Sequence, residues 1–272
     1  METEKLRKNL LETITLLKKN SSHEQLVVNA INSLNRLEEL VANPSAENLR
    51  EAIKLTRKLN EEVEQYKDYV PPIEEIITQL FQWLEPKFIE MAHIVEKQKL
   101  EMVPVETEGF ILDIGGGGAG IIGKLNGRNV IAIDQSYKEL EETENESLKI
   151  VMDATDLKFL ASSFDVATSF FTLLYIDREK QVRVFSEVHR VLKEQGKFLI
   201  WDIRIPEKVK GKEFFLVHLE VALPDEKLTP GYGVMLSHQN IEHFRDLAAK
   251  TGFTVVDEWI RDEIFYLKLK KQ

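Results

Sequence analysis

The chain contains no cysteine among its 272 residues, which excludes disulfides, thiolate metal sites and any thiol nucleophile. Glycine is missing from residues 1–103, although thirteen occur in the whole chain. No stretch approaches the roughly eighteen apolar residues of a membrane-spanning helix, so none is expected. Met1 to Lys19 is interrupted by Glu4, Lys5, Arg7, Lys8 and Glu12, the pattern of an amphipathic helix and not of a secretory signal, and a cytoplasmic location is expected. Positive charge is also short, with 36 Lys and Arg against 46 Asp and Glu and a formal net charge of -10. An acidic chain is a poor generic binder of phosphate backbones, so nucleic acid is a disfavoured partner. No metal-ligand set is expected.

What is present first is helical periodicity. Leu6, Leu10, Ile14 and Leu17 recur every three or four residues, as do Leu26, Ala30, Leu34 and Leu37, and then Leu49, Ala52, Ile53, Thr56, Leu59 and Val63. Asn43-Pro44-Ser45 reads as a break with a helix start, and Pro71-Pro72 as another. The pattern predicts helix from Ile73 to about Met102, kinked at Pro86. Residues 1–103 are therefore expected to form an all-α domain serving as a lid, an oligomerisation surface or a packing module, with a homodimer through these helices as one outcome. Tyr66, Tyr69, Trp83 and Phe88 could reach a neighbouring ligand, although such aromatics more often fill a core.

From residue 110 strands and helices alternate. Strands are expected at 110–114, 130–133, 149–152, 164–170 and 197–201, and helices at 119–125, 137–144 and 179–192. This β-α-β order argues for a parallel sheet covered by helices. Residues 203–237 hold Pro206, Pro224, Pro230, Gly231 and Gly233 and read as an insertion with a strand at 214–223. A helix at 238–251 and two strands joined tightly at Arg261-Asp262-Glu263 close the chain.

The chemistry concentrates in Phe110-Ile111-Leu112-Asp113-Ile114-Gly115-Gly116-Gly117-Gly118-Ala119-Gly120. A buried strand runs into glycines that let a ligand press on the backbone, and a helix follows whose first amides favour electron-rich groups. Gly115, Gly117 and Gly120 satisfy a dinucleotide fingerprint, with Asp134 at the distance of a ribose-binding acid, so an NAD(P)-dependent oxidoreductase is one reading. Taken singly, Asp113 and Asp134 could be helix caps, and Asp153 and Asp156 turn residues.

The combination is more specific. Asp113 precedes the glycines by two residues, Asp134 ends Ile131-Ala132-Ile133-Asp134, and Met152-Asp153-Ala154-Thr155-Asp156 follows the third strand. Ser163-Phe164-Asp165-Val166-Ala167-Thr168-Ser169-Phe170-Phe171 forms the fourth strand, and Glu187 to Gly196 leads into Lys197-Phe198-Leu199-Ile200. In this order and spacing the segment from about 109 to 202 resembles the class I S-adenosylmethionine-dependent methyltransferases, in particular the small-molecule group related to the ubiquinone/menaquinone methyltransferases.

The resemblance implies a Rossmann-like α/β domain over 104–272, with a seven-stranded sheet whose last strand is antiparallel. It implies S-adenosyl-L-methionine as cofactor, S-adenosyl-L-homocysteine as product, and direct displacement at the sulfonium methyl by a small-molecule acceptor. The cofactor-binding residues it implies are Asp113, Gly115, Gly116, Gly117, Asp134, Gln135, Asp153, Ala154, Ser169 and Phe170. Asp134 would accept the ribose hydroxyls and Asp153 the adenine amino group. Ala119 stands where the family usually has a third alternating glycine. Should the acceptor need deprotonation, His218, Tyr232 and His238 are candidate catalytic residues, with Asp202 and Tyr175 behind them. The absence of an Asn/Asp-Pro-Pro-Tyr/Phe run after the fourth strand, and of cysteine, argues against nucleobase acceptors. A cofactor-binding protein without catalysis is the remaining alternative.

Overall fold

In a computed structural model, which describes residues 2–20, 25–43, 45–62 and 71–272, the leucine stripes form four helices. These are α1 (Glu2–Asn20), α2 (Gln25–Ala42), α3 (Ala46–Glu62) and α4 (Pro71–Met91). Each packs on the next and α1 packs on α4, with Leu10, Leu34, Leu37, Leu59, Ile73 and Leu80 fully buried. Expectations resting on Pro44, Val63, Tyr66 and Tyr69 lie outside the described residues. Trp83 is buried and donates its indole N–H to Thr3 Oγ1 at 3.1 Å, and the Phe88 ring lies 4.6 Å from Phe214. Both aromatics are spent inside the helical unit, which comprises 1–93 with 211–214.

The last helix ends at Met91, not near Met102. Two short strands replace its expected end, β1 (Ala92–Ile94) and β2 (Gln98–Glu101). Gln98, Leu100 and Met102 are buried while Lys99 and Glu101 are exposed, a period of two that fits a strand. The partner that settles it, the strand Phe214–Ala222, lies more than a hundred residues away, so the local pattern alone does not separate strand from helix.

The second unit, 94–210 with 215–272, holds the rest of the chain. It contains β3 (Ile111–Ile114), α5 (Ile121–Asn126), β4 (Val130–Asp134), α6 (Tyr137–Glu142), β5 (Leu148–Val151) and β6 (Phe164–Phe170). There follow α7 (Arg178–Val191), β7 (Leu192–Ile203), β8 (Phe214–Ala222), β9 (Lys227–Leu228), β10 (Gly231–Met235), α8 (Ile241–Lys250), β11 (Phe253–Arg261) and β12 (Ile264–Lys271). Seven strands form one sheet in the order β11-β12-β7-β6-β3-β4-β5. The last strand, β12, runs antiparallel to β7 and to β11, and the β7-β6-β3-β4-β5 ladders are parallel. The expected seven-stranded, Rossmann-like sheet with its antiparallel final strand is present.

One face of this sheet buries Phe185, Val188, Phe198, Phe244 and Phe265 in a single cluster. The other face buries Ile111, Ile122, Val166 and Leu199 together with Phe215, Val217, Leu219 and Val221 of β8. β8 is the centre of a second, five-stranded sheet in which it also pairs with β2, β9 and β10. The expected insertion is thus a sheet, completed by strands from before the glycine loop.

Candidate cofactor and active site

β3, β4, β5 and β6 present their carboxyl ends side by side, and the chain reverses direction across the sheet between β3 and β6. Open parallel sheets bind ligands at such a reversal. Asp113, near the end of β3, is 2% exposed and pairs in register with Thr168 of β6, whose Oγ1 donates to Asp113 Oδ1 at 2.7 Å. Burial pushes the Asp113 carboxyl up to about 7, the Thr168 bond pulls it down, and the charge of Asp134 raises it further.

Close packing leaves the glycine loop little room for side chains. Gly115 has φ +71, and a Cβ there would lie 2.3 Å from the Thr172 side chain. At Gly116 the clash is with Ala132 Cβ and Asp113 Oδ2, both 2.7 Å away. The Gly115 and Gly116 amides donate to the Ile133 carbonyl at 2.8 and 3.0 Å, so they fix the loop to β4. α5, six residues long, opens on a left-handed Gly120 without a side-chain cap. A Cβ on Gly117 would sit 3.0 Å from Asp134 Oδ2, so glycine keeps clear the space in front of that carboxylate.

Asp134 ends β4 and accepts the Ser136 amide on Oδ1 at 2.8 Å, while Oδ2 makes no hydrogen bond among the described residues. Ser136 in turn caps α6. Asp153, in the turn after β5, accepts the Thr155 amide and hydroxyl at 2.8 Å each. The Thr155 amide first, with hydrogen bonds from Thr155 and Gln135 side chains, holds the Asp153 carboxyl below its usual range. Ala154 beside it is buried. Ser169, between Ile114 and Ile200, is fully buried with no partner for its Oγ among the described residues, and Phe170 is buried next to it. The ten residues implied as cofactor-binding therefore lie on one edge, at or just past the ends of four adjacent strands. Asp165 lies away from that edge, in an ion pair with Lys193 at 2.8 Å.

The catalytic candidates separate. His218 is exposed on β8, between Val217 and Leu219, which face the core, so it points to the opposite side of the small sheet and away from the strand ends. His238 places Nδ1 3.2 Å from the Ile205 carbonyl and Nε2 3.3 Å from Asn240 Nδ2. Tyr232 of β10 stacks on Phe171, ring centroids 4.9 Å apart at 27°. Burial first, then Tyr175, Asp202 and Asp113, push its hydroxyl pKa up, so Tyr232 keeps its proton and is no base. Asp202 is fully buried; Ile203 N and Gln239 Nε2 donate to its Oδ1 at 2.8 Å, and Oδ2 has no partner among the described residues. Burial raises its carboxyl to about 7, against the pull of the Ile203 amide, Gln239 and the Leu174 and Leu173 amides.

Several participants carry no sequence signal. Gln181 of α7 donates to the Leu173 and Ile176 carbonyls at 2.9 and 3.2 Å, clamping the turn after β6. His243 Nε2 donates to Gln181 Oε1 at 2.6 Å, and burial, then Arg178, lower its pKa to about 4. Phe171 opens that turn at φ 50, and Thr172 closes over Gly115. A buried glutamine four residues into a polar helix reads as surface until its turn is in place.

A family model described as a methyltransferase domain matches residues 112–200. No curated protein matches the chain. Among solved structures, an S-adenosylmethionine-dependent methyltransferase from Methanosarcina mazei is 19% identical, covers 63% of this chain and 99% of its own, and superposes with a TM-score of 0.47. A protein from Pyrococcus horikoshii OT3 is 17% identical over 77% of this chain and 99% of its own, TM-score 0.45. Phosphoethanolamine N-methyltransferase 2 from Haemonchus contortus, solved with S-adenosyl-L-methionine, is 18% identical over 62% of this chain and 50% of its own, TM-score 0.44. The segment similar to the methyltransferase-domain model holds the glycine loop, the strand-end acids and five strands of the seven-stranded sheet.

Proposed function

We propose that this protein methylates a small molecule, holding S-adenosylmethionine along the carboxyl ends of β3 to β6. The observation that carries the reading is the space in front of Asp134. Gly117 leaves its Oδ2 open while Ser136 anchors Oδ1, so a fixed carboxylate with one open oxygen stands at the carboxyl end of β4 beside the glycine loop. A vicinal diol fits such a group, because a carboxylate accepts two hydroxyl donors at once. Asp113 lies across the glycines from it, and an ammonium placed there would relieve the cost of its buried charge. Gln135 and Asp153 already touch, which presents an acceptor and an amide together at the adenine end.

Bound there, S-adenosylmethionine would supply an activated methyl group for direct transfer to the acceptor. The chain's own contribution is then alignment, and exclusion of water by Phe170, Phe171 and Trp201, all buried. The net charge of -10 and the missing cysteine argue for a small acceptor over a nucleic acid.

Parallel calorimetric titrations with S-adenosylmethionine, S-adenosylhomocysteine and NADH test the reading. Binding of the first two alone is expected. NADH binding alone would return the glycine loop to the dinucleotide class, and cofactor binding with no methyl transfer across an acceptor screen would favour a binding protein.

A further inference from the structure

From Gly115 to Gly123 the chain carries six glycines, and the cofactor reading uses only the first three. What the others accommodate is the stretch that follows α6. There Thr143 and Ser147 are buried, Asn145 is half-buried, and Glu144 and Glu146 between them are exposed. A Cβ on Gly120 would lie 2.4 Å from Thr143 Cγ2 and 2.5 Å from Asn145 Nδ2, and one on Gly123 would lie 2.3 Å from Asn145 Nδ2. Gly118 and Gly120 also have φ +63 and +55, where a side chain would be strained. These later glycines therefore make room for another segment of the protein, not for a ligand.

Hydrogen bonds cross that contact. Thr143 is 1% exposed, and its hydroxyl reaches the Gly118 carbonyl at 3.1 Å and the Glu139 carbonyl at 2.5 Å, so one proton serves both. Asn145 Nδ2 donates to the Gly120 carbonyl at 3.2 Å. Its Oδ1 accepts the Ser147 amide at 3.1 Å and the Ser147 hydroxyl at 2.6 Å, which fixes the orientation of the side chain. In the other direction, the Gly118 amide donates to the Glu139 carbonyl at 3.1 Å. Volume alone does not call for a hydroxyl at 143, since valine has the same shape. The bond to the loop carbonyl is what threonine adds.

The same run of chain begins at the open carboxylate. Ser136, whose amide anchors Asp134 Oδ1, caps α6, and α6 leads directly to Thr143. Gly117 thus sits between Gly115 and Gly116, tied to β4, and Gly118, tied to the end of α6. On the reading that this loop and Asp134 hold S-adenosylmethionine, we propose that Thr143 and Asn145 are positioning residues for the cofactor. They act through the glycine loop, clamping Gly118 and Gly120 so that Gly117 keeps its distance from Asp134 Oδ2.

The test titrates the full chain by calorimetry with S-adenosylhomocysteine and follows backbone amide exchange over residues 115–123 without ligand. Thr143→Val keeps the side-chain shape and removes the hydroxyl. It is expected to weaken S-adenosylhomocysteine at least ~10-fold and to speed exchange over that stretch by a similar factor. Thr143→Ser restores the hydroxyl and is expected to stay within about twofold of the parent in both measurements. Asn145→Asp keeps the acceptor for Ser147 and loses the donor to Gly120, so it should reproduce the loss, and it carries the test where Thr143→Val does not fold. Parental affinity in the folded valine and aspartate variants, or a serine variant as weak as the valine one, overturns the proposal. Faster exchange with unchanged affinity overturns it too, because the clamp would then serve the fold alone. Failure of S-adenosylhomocysteine to bind the unmutated protein is a different result, since it removes the cofactor reading on which the proposal stands.

Discussion

The two sheets of the α/β unit use similar residues and differ in how they are assembled. The seven-stranded sheet takes its β3–β7 part from chain neighbours, and each βα step is completed within a few dozen residues. The five-stranded sheet joins β2 to β8 in parallel, Gln98 opposite Leu219 and Glu101 opposite Ala222, across more than a hundred intervening residues. The first sheet ends in loops that must accommodate a ligand, so its sequence is constrained at single positions. The second supplies a surface, and its sequence is constrained only in pattern. Substitutions are expected to divide along that line, with loop changes on the large sheet altering cofactor affinity and core changes on the small sheet altering stability.

The largest expected effect is at Gly115. Valine there meets both a positive φ and the Thr172 side chain 2.3 Å from its Cβ. The loop must shift, and S-adenosylmethionine affinity is expected to fall ~100-fold or more, measured by calorimetry. Retention of near-native affinity would mean that the loop's path is not what the cofactor needs. Phe215→Ala probes the other sheet. Phe215 is fully buried, so its truncation is expected to cost about 3–5 kcal/mol in denaturant unfolding. Cofactor affinity, measured where the variant is still folded, should stay within about twofold of the parent, since β8 lies outside the glycine-loop edge. A large affinity loss at Phe215 would break the division between the sheets.

The same contrast explains what was legible in the sequence. Asp113, the glycine run, Asp134 and Asp153 stand at strand ends in fixed order, because backbone approach and charge placement leave few residue choices there. The alternation of buried and exposed residues in β8 was also readable, and placed a strand at its observed position. β2 was not, because Gln98 to Met102 follow a helix and carry charged residues that a helix also accepts. Only pairing with β8 tells the two apart. Gln181, Gln239 and the φ of Phe171 were invisible for a related reason: each acts on a turn that exists only once β6, β7 and α7 are packed.

Within the large sheet the acids are expected to rank. Asp134 keeps Oδ2 open and can meet two hydroxyls, whereas Asp153 Oδ1 already accepts two bonds from Thr155. Hydrogen bonds to a charged group contribute about 1.5–3 kcal/mol, so Asp134→Ala should weaken S-adenosylmethionine by roughly 10–100-fold. Asp153→Ala should cost less. Its removal also frees the Thr155 amide and Gln135, both able to turn to water or to the ligand. Equal or reversed losses in the titration would show that the adenine end, not the ribose, anchors the cofactor.

The smallest effect is the most specific to the buried end of β3. Asp113 has its carboxyl pushed from an ordinary 3.8 to about 7 in the folded chain without cofactor. Between those values the folded state holds a proton that the unfolded chain has released, so folding takes up a proton there. The stability this group contributes is full below about pH 4 and is lost as pH rises through about 7. Asp202 follows the same sign and window. The cofactor-free protein should therefore melt several degrees lower at pH 8 than at pH 5, beyond what the exposed carboxylates alone produce. Asp113→Asn keeps an oxygen to accept the Thr168 hydroxyl and removes the titration, so it should narrow that gap by stabilising the protein at pH 8. The same variant should bind S-adenosylmethionine more weakly at pH 8, where the parent offers a carboxylate to the ammonium and the amide cannot. Gain of stability together with loss of affinity is the expected signature of a charge held in place for its ligand. Gain of stability with affinity unchanged would assign Asp113 to the sheet alone.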